Sequence, residues 1–89
     1  MPDLDALRNL GPVSARMLAE VGIDSRAELE RLGAEMAFQI VRHRRPAVSL
    51  NLLWALHGAL TDQDWRSLAA DEKARLRDKV AVPLRVRPG

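Results

Sequence analysis

Glycine and proline interrupt this 89-residue chain so often that no helix in it can run far before the backbone must turn. Gly11 and Pro12 break the pattern early, and Gly22, Gly33 and Pro46 follow, each where a helix can stop or restart without losing hydrogen bonds. A chain cut in this way can only fold by packing several short helices across tight turns. What it buries is then set by the apolar stripe of each piece.

Six helical segments follow from this punctuation. The first spans about Asp3 to Leu10, with Leu4, Leu7 and Leu10 at three-residue spacing. The second runs from about Pro12 to Val21, with Ala15, Leu18 and Val21 along one face, Gly22 as its stop and Ile23 as a buried anchor. A third begins at Asp24 or Ser25, where Ser25 and Glu28 have the spacing of a capping box, turns Leu29 and Leu32 inward and ends at Gly33. The fourth, about Ala34 to Arg44, is expected to bury Met36, Ala37, Ile40 and Val41 before Pro46 closes it. Ser49 caps the fifth, "LNLLWALHGAL", whose apolar residues surround the axis and mark a helix enclosed by protein. Thr61 and Asp64 form a further expected capping pair ahead of a short turn at Trp65 and a last helix near Ala70 to Val80, whose apolar stripe is thin. No strand pattern or long repeat is present. The fold class is all-α, a compact bundle of five or six short helices, with residues 1–80 as one domain and residues 81–89 as an extended basic tail.

Composition narrows the function. At 47% hydrophobic and 29% charged the chain is that of a folded domain rather than a disordered one. It has no cysteine, which removes disulfides and thiolate zinc sites. No apolar run reaches the ~20 residues of a membrane span, and no signal-peptide pattern opens the chain, so a cytoplasmic protein without membrane contact is expected. Fourteen Lys and Arg against twelve Asp and Glu give a net charge of +2, too even to announce a nucleic-acid binder in bulk. The basic residues cluster in "RHRR" (Arg42, His43, Arg44, Arg45) and at Arg85 and Arg87.

The residues for catalysis are few. His43 and His57 are far apart and lack metal-ligand spacing, His57 lies on the buried helix as a satisfied histidine would, and no glycine loop matches a nucleotide cradle. No enzyme, no cofactor and no metal are expected.

One stretch carries more. "LRNLGPVSARMLAEVGI" resembles the helix-hairpin-helix motif, with Leu10 as the central hydrophobic residue of its turn, Gly11 as the second glycine, Ala15 as the small packing residue and Gly22-Ile23 as stop and anchor. Asn9 stands where the motif has its first glycine, and Val13 where DNA-binding versions often carry a polar group. The resemblance implies that the amides of Gly11, Val13 and Ser14, with the Ser14 hydroxyl and Arg16, hold a DNA backbone phosphate without reading bases. Free amides at a helix start suit an anion. A corner that only packs two helices is the competing reading.

A longer match includes that stretch. With "ELERLGA", "VSLNLLWALHGAL" and Trp65, the chain from Leu7 to about Leu76 resembles the C-terminal domain of the TfoX (Sxy) family of competence regulators. The resemblance implies a SAM-like or helix-hairpin-helix-like bundle acting near transcriptional control, without the α/β domain that precedes it in full-length members. DNA binding would then use Gly11, Val13, Ser14 and Arg16, with Arg42, Arg44 and Arg45 adding salt-sensitive attraction. The alternative is a protein-interaction module that docks a transcription factor, an RNA polymerase subunit or a second copy of itself as a homo-oligomer. Asn51 and Trp54, with Gly58, recur on one side of the fifth helix and would form such a face, unless Trp54 fills the core.

Overall fold

A computed structural model describes residues 10–81, and among these it contains helices and no strand. Five α-helices follow in order: α1 (Pro12–Glu20), α2 (Arg26–Leu32), α3 (Ala34–Arg44), α4 (Leu50–Thr61) and α5 (Ala70–Lys79), with a 3₁₀ turn at Trp65–Ser67 between the last two. The expected helix at Asp3 to Leu10 and the basic tail with Arg85 and Arg87 lie outside the described residues, except that Leu10 itself is buried.

The boundaries follow from local chemistry. At the end of α1 the Ile23 amide donates to the Leu18 carbonyl (2.9 Å) and the Gly22 amide to that of Ala19 (3.0 Å), with Gly22 at φ +85°. That pattern closes a helix by a left-handed residue, and the accompanying apolar contact is supplied by Ile23 and Leu18, both buried. Ser25 Oγ accepts from the Glu28 amide (3.2 Å), which is one half of a capping box. The other half is not made, because the Glu28 carboxylate turns to Arg31. Gly33 ends α2 and starts α3 in one residue. Its amide donates to Leu29, its carbonyl accepts from Ala37, and its backbone at φ +84°, ψ 163° is a conformation essentially reserved for glycine. Ser49 Oγ accepts from the Asn51 amide (3.0 Å) to start α4.

Helices α3 and α4 form the central pair. Helices α1 and α2 pack on α3, while α5 and the 3₁₀ turn pack on α4. Leu18, Ile23, Leu29, Phe38, Val41, Leu53, Leu56 and Val80 are the largest fully enclosed side chains. On α3 the buried stripe is Ala34, Ala37, Phe38 and Val41. This corrects the expected stripe, since Met36 is 42% exposed and Ile40 is only half-buried. Both sets fit a helical period. Phe38 decides between them, because an aromatic ring gains more from burial than Met36 loses by exposure. The Thr61–Asp64 pair is also corrected. Asp64 alone caps the turn, accepting from the Arg66 amide (2.9 Å), whereas Thr61 is the last residue of α4 and donates its hydroxyl to the His57 carbonyl (2.8 Å).

Candidate functional site

The two ends of α1 separate the expected binding residues. At its start Gly11 is the N-cap and has no side chain to offer, Pro12 occupies the first position and has no N–H, and the first intrahelical bond runs from the Ala15 amide to the Gly11 carbonyl (3.0 Å). Among the described residues no acceptor is bonded to the amides of Val13 or Ser14. Val13 is 73% exposed. Gly11 adopts φ −104°, ψ −173°, an extended backbone open to any residue, and a Cβ added there would meet nothing within 4 Å. Space and donors are both present at this corner.

At the other end of α1, roughly 12 Å along the axis at 1.5 Å per residue, Glu20 gathers the arginines. Arg45 grips its carboxylate with two parallel bonds, Nε to Oε1 at 2.9 Å and Nη2 to Oε2 at 2.8 Å. Arg44 Nε lies 3.8 Å from the same group. The Arg45 hydrogen bond, reinforced by the charges of Arg45, Arg44 and Arg16, holds the Glu20 carboxyl below its usual 4.5. Two guanidinium groups, of Arg44 and Arg45, thus share one carboxylate, while Arg16, four residues before Glu20 on α1, adds only its charge. Arg42 does not join them. Its guanidinium lies 5.3 Å from the centroid of the Phe38 ring, and its Nη2 donates to the Val80 carbonyl (2.6 Å), so it ties α3 to the end of α5.

A groove opens where the start of α1 meets the start of α4. Its lining comes from Ser14 and Met17 of α1, Val48, Ser49, Asn51, Leu52 and Ala55 around α4, and Trp65 of the 3₁₀ turn, enclosing about 430 Å³. Asn51 is exposed and belongs to this lining. Trp54, its expected companion, does not share the face. It is 9% exposed and packs in the core, so the tryptophan that reaches a surface concavity is Trp65. Arg66 and Lys73 both lie against the Trp65 indole, at 5.8 and 5.5 Å from its centroid. Sequence reasoning assigned Trp65 to a turn and missed this role. The available signal was an aromatic residue beside Arg66 in a short, capped turn that is too small to bury a ring by itself.

His57 is half-buried at the edge of the core, with Nε2 2.9 Å from Glu72 Oε1, and Arg75 holds the other oxygen of that carboxylate at 2.6 Å. The trio joins α4 to α5. Among the described residues no group of three or more His, Cys, Asp or Glu is placed to hold a metal ion, and no helix is long and apolar enough to cross a membrane.

Comparison with known proteins matches this architecture. Two crystal structures of Listeria monocytogenes proteins superpose on it. One is described as an uncharacterized protein, with 31% identity over 83% of this chain and 84% of that one and a TM-score of 0.78. The other is described as a protein of unknown function, with 30% identity over 85% of this chain and 94% of that one and a TM-score of 0.80. No curated protein matches. The TfoX C-terminal domain family matches residues 1–80, nearly the whole sequence, and the chain belongs to that family.

Proposed function

We propose that this domain is a non-enzymatic regulatory module that binds the DNA backbone weakly and without sequence preference, in the service of transcriptional control of competence. The observation that carries the reading is the uncapped start of α1. The Val13 and Ser14 amides have no acceptor among the described residues, the Val13 side chain stands out in solvent, and nothing crowds Gly11. A phosphate oxygen supplies the missing acceptor, and the positive end of the helix favours its charge. This is the mode of a helix-hairpin-helix turn, in which amides hold phosphate and base edges are left unread.

Arg16 follows the turn on α1 and adds a mobile positive charge. Arg44 and Arg45 add attraction that is reduced by Glu20, since two guanidiniums on one carboxylate leave a surplus of one positive charge. Arg42, committed to Phe38 and Val80, adds nothing to the DNA surface. Few phosphates are neutralised, so affinity belongs in the non-specific range of roughly 10⁻⁴ to 10⁻⁶ M and falls with salt at a shallow slope.

Titration of a labelled duplex at low and moderate salt tests this. The expected result is saturable binding that is indifferent to sequence, with Arg16→Ala lowering the log–log salt slope by about one. Absence of binding at tens of micromolar protein and low salt, an order-of-magnitude limit for non-specific association, overturns it.

A further inference from the structure

The groove between α1, α4 and Trp65 has a chemistry that duplex DNA does not use. Its floor is apolar, from Met17, Val48, Leu52, Ala55 and Trp65, and its lip is neutral and polar, from Ser14, Ser49 and Asn51. At about 430 Å³ it falls within the ~300–1,000 Å³ of ligand-binding clefts. Among the described residues no carboxylate lines it.

Two cations and one carboxylate stand at its Trp65 end: Arg66 and Lys73 lie against the indole, and Asp64 caps the turn that carries it, so the surplus there is positive. Six Arg and Lys side chains of the described residues are ion-paired: Arg26 with Glu30, Arg31 with Glu28, Arg44 and Arg45 with Glu20, Arg75 with Glu72 and Lys79 with Glu35. Arg66 and Lys73, which flank the Trp65 indole, are outside these pairs, as are Arg16, Arg42 and Arg77 away from the groove lining. Among the described residues neither Arg66 nor Lys73 has a carboxylate within ion-pair distance. An apolar trough therefore ends beside two cations that have no ion-pair partner among the described residues, and the first turns of α1 and α4 add partial positive charge along its lip.

We propose that this groove docks an acidic, amphipathic segment of a partner protein. One or two large apolar side chains of that segment would fill the trough over Met17, Leu52 and Trp65, and its carboxylates would reach Lys73 and Arg66. A nucleic-acid backbone has no apolar anchor for the floor, and a basic segment would meet two like charges. The domain then joins two anionic partners on adjacent surfaces, DNA at the Gly11 corner and a protein segment in the trough. The second contact does not depend on the first.

The probe is a synthetic amphipathic helical peptide with Leu and Phe on one face and Glu on the other, titrated without DNA into the full chain and followed by ¹⁵N–¹H spectra. A matched peptide with Lys in place of Glu is the control. The Glu peptide is expected to bind saturably and move the Trp65 indole and the Ser14 and Ala55 amide signals, with the Lys peptide at least about tenfold weaker, as expected for a charge-selected site. Asn51→Glu is the informative variant. An acid in the first turn of α4 suits the helix, so the fold is retained, yet it should weaken the Glu peptide by about tenfold or more. Lys73→Ala should weaken it several-fold. Equal binding of both peptides, signal changes away from the groove, indifference to Asn51→Glu, or groove signals that move with protein concentration alone and so report a second copy, would each overturn the proposal. Failure of the duplex titration alone would leave it standing.

Discussion

The two ends of α1 differ in how completely they are closed. Its C-terminal end satisfies its carbonyls through Gly22 and Ile23, locks Ile23 onto Leu18 in the core and neutralises Glu20 with Arg45 and Arg44. Its N-terminal end has a glycine for a cap, a proline in the first position and an exposed valine in the second. One short helix thus has one end closed by the protein itself, while at the other the Val13 and Ser14 amides have no acceptor among the described residues. Closed ends contribute stability, and open ends remain available for a ligand. The groove repeats the lesson, because its walls are set by packing while Arg66 and Lys73 beside it have no ion-pair partner among the described residues.

Substitutions at the two ends should therefore differ in kind. The largest effect belongs to the closed end. Leu18→Ala removes an enclosed side chain beneath Ile23 and should cost about 2–5 kcal/mol in urea denaturation. A cost near zero would mean that this end is not the anchor described. Gly22→Ala comes next, at about 1–2 kcal/mol, because alanine must take φ +85° to keep both turn hydrogen bonds. The same change at the open end should be silent. Gly11→Ala has room and an ordinary backbone, and is expected to change stability by less than about 0.5 kcal/mol. Gly11→Asp reverses the sign of the comparison. A capping carboxylate should stabilise α1 by a few tenths of a kcal/mol while weakening duplex binding by about fivefold, the equivalent of about 1 kcal/mol. Equal duplex affinity for Gly11→Asp and the parent chain would place the phosphate elsewhere.

The smallest effect concerns pH. The Arg45 bond holds the folded Glu20 carboxyl below its usual 4.5, so its contribution to stability is complete above that value and is lost as pH falls through the depressed one. Glu28 behaves likewise under Arg31. Glu20→Gln should flatten the acid limb of a stability profile slightly, because both partners are exposed to solvent and screened. It should also strengthen duplex binding and steepen its salt dependence, since Arg44 and Arg45 lose the one carboxylate they share. Unchanged salt dependence would show that this corner lies away from the DNA.

Helix boundaries were legible in the sequence because they depend on neighbours a few residues apart. Gly22, Gly33, Ser25 and Ser49 each act through bonds spanning five residues or fewer. The largely buried α4 was legible for the same reason, as its apolar residues occupy nearly every direction around one axis. Facing was harder. The α3 sequence permits two stripes, and only the packing of Phe38 against the other helices selects between them. Pairing across the chain left no local trace. Nothing near "RHRR" announces that Arg45 and Arg44 meet Glu20, some 25 residues earlier, or that Arg42 reaches Val80, 38 residues later. The groove was illegible in the same way, since α1, the start of α4 and Trp65 are brought together by tertiary packing alone. Asn51 was found from its place on α4, Trp54 took the core position that was one of its two expected readings, and the part of Trp65 in the groove was not foreseen, because burial, not residue type, decides which ring reaches a surface.

The central claim is that the first-turn amides of α1 await an anion, and ¹⁵N–¹H spectra recorded while a short duplex is added test it most directly. The Val13 and Ser14 amide protons are expected to move downfield and saturate together, with Gly11 and Arg16 following and the signals of Gly22 and Ile23 unmoved. Saturable duplex binding that leaves Val13 and Ser14 unshifted would contradict it.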